Sequence, residues 1–133
     1  VNYPVISDDS GLCIKALDNK PGIHSARLAK KKGSFLNAMN FILKKLEKKN
    51  NRSATFVSNL SFKQLNGKII SAEGRLQGKI SHQILGKKGF GYDSIFIPSK
   101  LKITFGQMSK FKKIKMDHRF IAFKKLKKKI KIL

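Results

Sequence analysis

Cysteine is scarce in this sequence, and long apolar runs are missing. The single cysteine, Cys13, excludes an internal disulfide bond and any zinc site built from several cysteines. We expect it to be a small buried apolar residue. No apolar run approaches the roughly 18–20 residues of a membrane-spanning helix, so no contact with a membrane is expected. No signal peptide is visible either, and the sequence therefore predicts a cytoplasmic protein.

Acidic residues are also few, which leaves a very large positive charge. Seven Asp and Glu stand against 30 Lys and Arg, and the formal net charge is +23. Only four of the basic residues are arginine, whereas sequence-specific readers of nucleic acid usually rely on the bidentate arginine side chain. The charge predicts non-specific attraction to nucleic acid at low salt, and a basic nucleic-acid-binding module is an alternative function.

The length and the apolar content predict a single folded domain over residues 1–133. Hydrophobic residues make up 41% of the chain, and ten of them are Phe. The stretch YPVISDD (3–9) predicts a short buried strand that ends at two carboxylates, and residues 10–29 read as a structured loop. Ser34 is a plausible N-cap for a helix whose apolar residues recur at helical spacing: Phe35, Leu36, Met39, Ile42, Leu43 and Leu46.

The second half of the chain predicts a hairpin and a final helix. The pair Asn66–Gly67 is a strong hairpin signal between two stretches in which apolar residues alternate with polar ones. The stretch SIFIP (94–98) reads as a strand, and Asp117 is a natural cap for the final helix. The order β-α-β-β-α indicates an α/β or α+β domain.

Two of the seven acidic residues stand side by side in VISDDSGLCI (5–14). Adjacent carboxylates repel each other, and at the end of a strand they gain stability from a bound cation or from backbone N–H groups. One or two carboxylates are the usual protein ligands of Mg²⁺, which also contacts the phosphates of a substrate. Asp8 and Asp9 are therefore candidate magnesium ligands, and an Asx-capped turn is the alternative.

Two further phrases carry candidate binding residues. In GKKGFGYD (86–93) the glycines allow the backbone to approach a ligand, and Phe90 offers a stacking face for a base; a plain turn is the alternative. In KKIKMDHRF (112–120) His118 and Arg119 stand at a predicted helix start and can donate hydrogen bonds outward; a solvated surface is the alternative. The three histidines are too far apart to suggest a metal site.

Taken together and in this order, these phrases resemble the Ham1-like inosine triphosphate pyrophosphatases. The resemblance covers nearly the whole chain from about Val5, and it rests on DDSGL, PG and SAR, then GFGYD, then a lysine shortly before His-Arg. It implies an α/β (mixed α+β) fold with a central twisted mixed sheet flanked by helices. It also implies a homodimer that hydrolyses ITP, dITP or XTP to the monophosphate and pyrophosphate with Mg²⁺.

The resemblance implies a role for each motif residue. Asp9 is implied as the catalytic proton acceptor and metal ligand, supported by Asp8 as a second metal ligand. Lys113 would offset phosphate charge, and Arg119 has only donors, which suits a 6-oxo group and not the 6-amino group of adenine. Phe90 would stack on the base. The implied substrate contacts are Ser10, Phe90, Gly91, Tyr92, Asp93, Lys113, His118 and Arg119.

The sequence departs from the family pattern in three ways. Ser94 stands where the family has the proline that follows FGYD, a harmless loss of rigidity. Asp117 stands where the family has serine; both residues cap helices well, but a carboxylate near the base site can alter selectivity. The first strand, phosphate-holding loop and helix of the family, roughly its N-terminal third, have no counterpart here. We therefore expect an N-terminally truncated domain that is a poor enzyme alone and whose first strand exposes an open edge and apolar surface. An inactive remnant of the enzyme is a further alternative.

Overall fold

A five-stranded sheet forms the centre of the structure. The computed structural model describes residues 3–131. The strands are β1 (Val5–Ile14), β2 (Lys20–Gly22), β3 (Ser53–Lys63), β4 (Ile69–Ile80) and β5 (Phe96–Pro98), and their order in the sheet is β2-β1-β3-β4-β5. The fold is mixed α/β, as predicted. All strand pairs within the described part are antiparallel. We expected a mixed sheet with parallel pairs as well. Each strand instead runs in the opposite direction to its neighbours in the sheet.

Four helices accompany the sheet: α1 (Ser25–Lys32), α2 (Phe35–Leu46), α3 (Lys110–Lys113) and α4 (His118–Lys131). The prediction of α2 is confirmed, and the Ser34 hydroxyl accepts a hydrogen bond from the N–H of Asn37 at 3.0 Å. The cap of α4 is also confirmed, since Asp117 accepts from the N–H of Phe120 at 2.8 Å. None of these helices combines the length and the apolarity needed to cross a membrane.

Helix α1 falls in the region that we predicted as loop. It is eight residues long, ends in three consecutive lysines, and buries only Ser25 and Ala29. Leu28 and Ala29 pack against the apolar core, and a helix this short depends on such packing for its stability. The prediction was wrong because it relied on Gly11, Pro21 and Gly22 as breaks in regular structure, and all three lie before the helix begins at Ser25.

Strand β1 differs from the short buried strand that we predicted. It continues through the two aspartates to Ile14, and burial begins only at Leu12. Its whole length pairs with β3, but only Leu12–Ile14 pairs with β2 on the other side. Within the described structure residues 5–11 therefore have an open edge, and Val5 and Ile6 are exposed.

Helix α4 packs against the sheet through a glycine. A Cβ atom at Gly74 in β4 would clash with the carbonyl oxygen of His118 and with the backbone of Ala122. The bare backbone thus allows the first turn of α4 to approach the strands closely. Further along, Ala122 and Leu126 pack with Leu60 and Ala72 of the sheet. This packing places His118 and Arg119 over the central strands.

Candidate active site

The pleat of β1 separates the two aspartates. Neighbouring side chains of a strand point to opposite faces of the sheet. Asp8 is on the face that α4 covers, and we call this the covered face. Asp9 is on the opposite, open face, where it lines a cavity of about 480 Å³ together with Asn59 and Glu73. We expected both carboxylates to bind one ion at the end of a strand, but the strand continues and directs them apart.

The carboxylate of Asp8 is fully engaged on the covered face. Its Oδ1 accepts hydrogen bonds from the hydroxyls of Ser10 (2.7 Å) and Ser58 (3.0 Å), and its Oδ2 accepts from Nε of Arg119 at 2.6 Å. Partial burial raises the pKa of Asp8, but the hydrogen bonds from Ser10, Arg119 and Ser58 and the charge of Arg119 outweigh it and hold the pKa below its usual value. Asp8 is therefore ionised, and it orients Arg119.

The carboxylate of Asp9 is free by contrast. It is exposed and makes no side-chain hydrogen bond or ion pair within residues 3–131. Its cross-strand neighbours are Asn59 in β3 and, one strand further, Glu73 in β4, which is paired with Arg75 at 2.8 Å. The described residues contain no group of three or more His, Cys, Asp or Glu that could hold a metal. One free carboxylate among oxygen donors nevertheless suits Mg²⁺, which takes few protein ligands and adds substrate phosphates.

A buried ion pair holds the loop that carries Phe90. Nζ of Lys113 donates to Oδ2 of Asp93 at 2.6 Å, and these side chains are only 6% and 4% exposed. The same oxygen accepts from the N–H of Phe90 at 2.9 Å. Gly89 has φ +75°, and a Cβ there would clash with the Asp93 carboxylate, so the turn requires glycine. Lys113 thus forms an ion pair with Asp93. We predicted instead that it offsets the charge of the substrate's phosphates.

The ring of Phe90 projects into solvent beside two cations. It is 61% exposed, with Nζ of Lys113 at 4.2 Å and Cζ of Arg119 at 4.9 Å from the ring centre. Both distances are within the range of cation–π attraction. An exposed aromatic ring held in this way offers a planar surface on which a base can stack.

His118 and Tyr92 lie deeper. The His118 ring is 2% exposed, stacks on Phe56 with 4.6 Å between ring centres, and leaves Nδ1 without a hydrogen-bond partner in the described structure. Burial, then the charges of Arg119 and Lys113, lower the pKa of His118 to about 3, so the imidazole is neutral. The Tyr92 hydroxyl donates to the backbone carbonyl of Ser25 at 2.6 Å, and burial raises its pKa to about 12. Tyr92 therefore ties α1 to the Phe90 loop.

Two cavities adjoin Phe90 and Arg119. The smaller has a volume of about 130 Å³, and among its lining residues are Ser10, Gly91, Tyr92, Asp93 and His118. The larger has a volume of about 640 Å³, and it is lined by Lys88, Gly89, Met108, Ser109, Lys110, Lys113, Ile114 and Asp117 besides the two shared residues. Small-molecule sites usually measure about 300–1,000 Å³. Only the larger cavity has room for a purine and its sugar.

Comparison with known proteins identifies the family. Residues 1–129 match the profile of the Ham1 family. The chain belongs to this family. This Ham1 chain is 43% identical over 126 residues to a dITP/XTP pyrophosphatase of Caulobacter vibrioides, a match that covers 93% of the chain and 65% of the relative. It is 41% identical over 133 residues to a dITP/XTP pyrophosphatase of Borreliella burgdorferi, covering 96% of the chain and 66% of the relative.

A solved structure shows the same Ham1 architecture. The Ham1 protein of Staphylococcus aureus superimposes with a TM-score of 0.91 at 37% identity, and the match covers 98% of this chain and 68% of that protein. The predicted fold class and family are thereby confirmed. The Ham1 chain described here spans about two thirds of the length of the curated relatives it matches.

Several residues of this Ham1 site were not among those predicted from the sequence. Ser58 supports Asp8, and Asn59 and Glu73 share the open face with Asp9. The pairing of Asn59 with Glu73 could have been found, because a hairpin centred on Asn66–Gly67 puts them opposite each other. No local signal indicates that Ser58 meets Asp8, since their contact joins residues 50 positions apart.

Proposed function

We propose that this chain hydrolyses non-canonical purine nucleoside triphosphates, namely ITP, dITP and XTP, to the monophosphate and pyrophosphate, and so clears them from the nucleotide pool. One observation carries the proposal. The exposed ring of Phe90 and the guanidinium of Arg119 line a cavity of about 640 Å³, and Arg119 is bound to the residue beside Asp9. The names of the relatives, dITP/XTP pyrophosphatases, support the same substrate class.

Base recognition combines stacking with hydrogen bonding. The purine stacks on Phe90, and the terminal nitrogens of Arg119 donate to its 6-oxo group while Nε remains bound to Asp8. Adenine presents a 6-amino donor at that place. Two donors that face each other stay unsatisfied, which costs about 1–3 kcal/mol in a fully buried site and less here, because the Arg119 side chain is 35% exposed. The site therefore favours 6-oxopurines over adenine.

Strand β1 leads from the proposed base site towards Asp9. Arg119 lines the cavity beside Phe90 and is bound to Asp8, and Asp9 is the next residue of the strand. A nucleotide with its base on Phe90 thus extends its phosphates past Asp8 towards Asp9.

Asp9 is the proposed catalytic base and the protein ligand of Mg²⁺. Mg²⁺, when bound, supplies positive charge that offsets the charge of the phosphates. The exposed carboxylate of Asp9, free of other partners in the described structure, orients a water and accepts its proton as that water attacks the α-phosphorus. The bond from the α-phosphorus to the oxygen that bridges it to the β-phosphorus breaks, and pyrophosphate leaves. Asp8 acts through Arg119, as a positioning residue.

The same proposal includes the compartment and the oligomeric state of the enzyme. Clearing the nucleotide pool is a task of the cytoplasm, and we expect a homodimer to which the exposed face of β3 contributes. The charge of +23 adds non-specific attraction to nucleic acid at low salt. Sedimentation of the chain at several concentrations measures the dimer.

Pyrophosphate release tests the proposed reaction. With Mg²⁺, we expect release from dITP to exceed release from dATP by about tenfold, because adenine presents a donor to the donors of Arg119. Chelation of Mg²⁺ should stop the release. Equal rates with dITP and dATP would contradict the proposed base recognition, and release that survives chelation would contradict the proposed metal.

A further inference from the structure

An apolar groove lies between strand β2 and helices α1 and α2. Its volume is about 340 Å³. Its apolar lining consists of Leu17, Pro21, Leu28, Phe41 and Ile42. Leu17, Leu28 and Phe41 pack against the main core but are only partly buried, so some of their apolar surface remains in contact with solvent. Among the described residues, the groove shares none of its lining with the two cavities that adjoin Phe90.

The rim of this groove is basic. The remaining lining residues are Lys20, His24, Arg27 and Lys31, and all four are exposed. No Asp or Glu of residues 3–131 lines the groove, and no ion pair of the described structure involves Lys20, Arg27 or Lys31. Positive charges gathered around one opening repel one another, and a bound anion offsets this repulsion. The rim therefore favours an anionic ligand.

Helix α1 presents the groups that suit an anion. Arg27 and Lys31 are four residues apart and so lie on the same side of the helix. The planar guanidinium of Arg27 can donate two parallel hydrogen bonds to a carboxylate, and the ammonium of Lys31 adds a second positive charge. Leu28 lies between them in the sequence and lines the apolar part of the same groove. One short helix thus offers partners to both the charged head and the apolar body of a ligand.

Three kinds of occupant differ in how well they suit this groove. A second copy of the chain carries a formal charge of +23 and is repelled by the basic rim. The phosphates of a nucleic acid suit the rim, but its sugar–phosphate backbone does not cover the apolar lining. A small molecule with an anionic head and an apolar body suits both parts. The volume of about 340 Å³ is at the lower end of the range of small-molecule sites, about 300–1,000 Å³.

We propose that this groove binds a small amphipathic anion, a fatty carboxylate with a chain of about six to eight carbons. Arg27 and Lys31 hold the carboxylate. The aliphatic chain packs on Leu28, Phe41 and Ile42, which removes apolar surface from water. The inference does not depend on the proposed reaction, because the groove is separate from the candidate active site.

A nuclear magnetic resonance titration of the 133-residue chain with sodium octanoate tests the location of the site. We expect saturable shifts of the methyl signals of Leu17, Leu28 and Ile42. Leu65 and Ile69 are exposed near the β3–β4 turn and serve as internal controls that should not shift. Hexanoate, which is shorter by two CH₂ groups, should bind about tenfold more weakly. The uncharged 1-octanol should also bind about tenfold more weakly, because it forms no charge-assisted contacts with the rim.

Two double variants test the role of the rim. Arg27→Gln with Lys31→Gln removes two positive charges from the groove, and it should weaken octanoate binding about tenfold while 1-octanol binding is unchanged. Lys124→Gln with Lys128→Gln is the matched control, because it removes two exposed charges at the same spacing on α4. The control should bind octanoate as the unaltered chain does. Thermal unfolding verifies that both variants are folded.

Several outcomes would overturn the proposal. Shifts that spread to Leu65 and Ile69, or equal weakening in the two double variants, would show that octanoate binds to a basic chain without a defined site. Equal affinity for octanoate and 1-octanol would show that the rim does not recognise an anion. Octanoate binding that strengthens as a dimer is diluted to monomers would show that the groove is an interface between copies.

Discussion

The two faces of β1 use the same kind of residue for different purposes. On the covered face, Asp8 receives three hydrogen bonds, and they hold its pKa below the usual value. On the open face, its neighbour Asp9 is exposed and has no side-chain partner within the described residues. The two adjacent side chains are chemically identical but differ in the hydrogen bonds that they accept. A paired carboxylate orients its partners, whereas an unpaired one is available to a metal or a water.

Helix α4 creates this difference. Its first turn supplies Arg119 to Asp8, and the glycine at position 74 allows it to approach the sheet. The helix packs on one face only, because side chains on the other face point away from it. The three predictions below contrast groups that the packing engages with groups that it leaves free.

The largest effect is expected for Asp9→Asn. The substitution removes the proposed base and metal ligand, and general base catalysis typically contributes about 10²–10⁴-fold to the rate. Because Asp9 is exposed and has no partner in the described structure, the free energy of unfolding should change by less than about 0.5 kcal/mol. Pyrophosphate release from dITP and urea denaturation measure the two quantities.

Asp8→Asn is the matched control for this prediction. It weakens the pairing with Arg119, whose side chain is 35% exposed, so screening by solvent limits the loss of stability to about 1 kcal/mol. If Asp8→Asn and Asp9→Asn lose turnover equally, the claim that only Asp9 acts as the catalytic base is wrong. A strong loss of stability in Asp9→Asn would show that Asp9 has a structural partner.

The next largest effect is expected for the buried pair of Lys113 and Asp93. Lys113→Met leaves Asp93 charged and buried without its partner, which typically costs about 3–5 kcal/mol. The matched control is Arg75→Met on the open face, where the pair with Glu73 is largely exposed and should contribute less than about 1 kcal/mol. Urea denaturation of both variants compares the losses. Similar losses would mean that burial does not set the strength of these pairs.

Local signals in the sequence predict the parts of the fold that depend on neighbouring residues. Ser34, Asp117 and the pair Asn66–Gly67 act on residues within a few positions of themselves, and the caps and the hairpin were found. The motif phrases also identified the residues that converge on Phe90. These features depend on backbone chemistry that a short window of sequence contains.

Long-range pairing could not be predicted in the same way. Asp8 and Arg119 are 111 positions apart, and their contact depends on how α4 crosses the sheet. The end of β1 was misplaced for a related reason: an apolar run stops at Asp8, but pairing with β3 continues the strand to Ile14. Which aspartate faces α4 follows from that register, and one residue of slip would exchange their roles.

The most gradual effect concerns the pH dependence of stability through His118. Its pKa is about 3 in the folded chain and about 6.5 when exposed, so between these values the unfolded chain binds more protons. Stability is therefore complete above pH 6.5 and falls as the pH is lowered towards 3, by up to about 1.4 kcal/mol per pH unit. His118→Phe keeps a ring against Phe56 but does not titrate, and it should flatten this slope. Urea denaturation between pH 6.5 and 3.8 measures it, since the depressed pKa of Asp8 acts below that window. If the free energy of unfolding falls with pH equally in the chain and in His118→Phe, burial does not lower the pKa of His118.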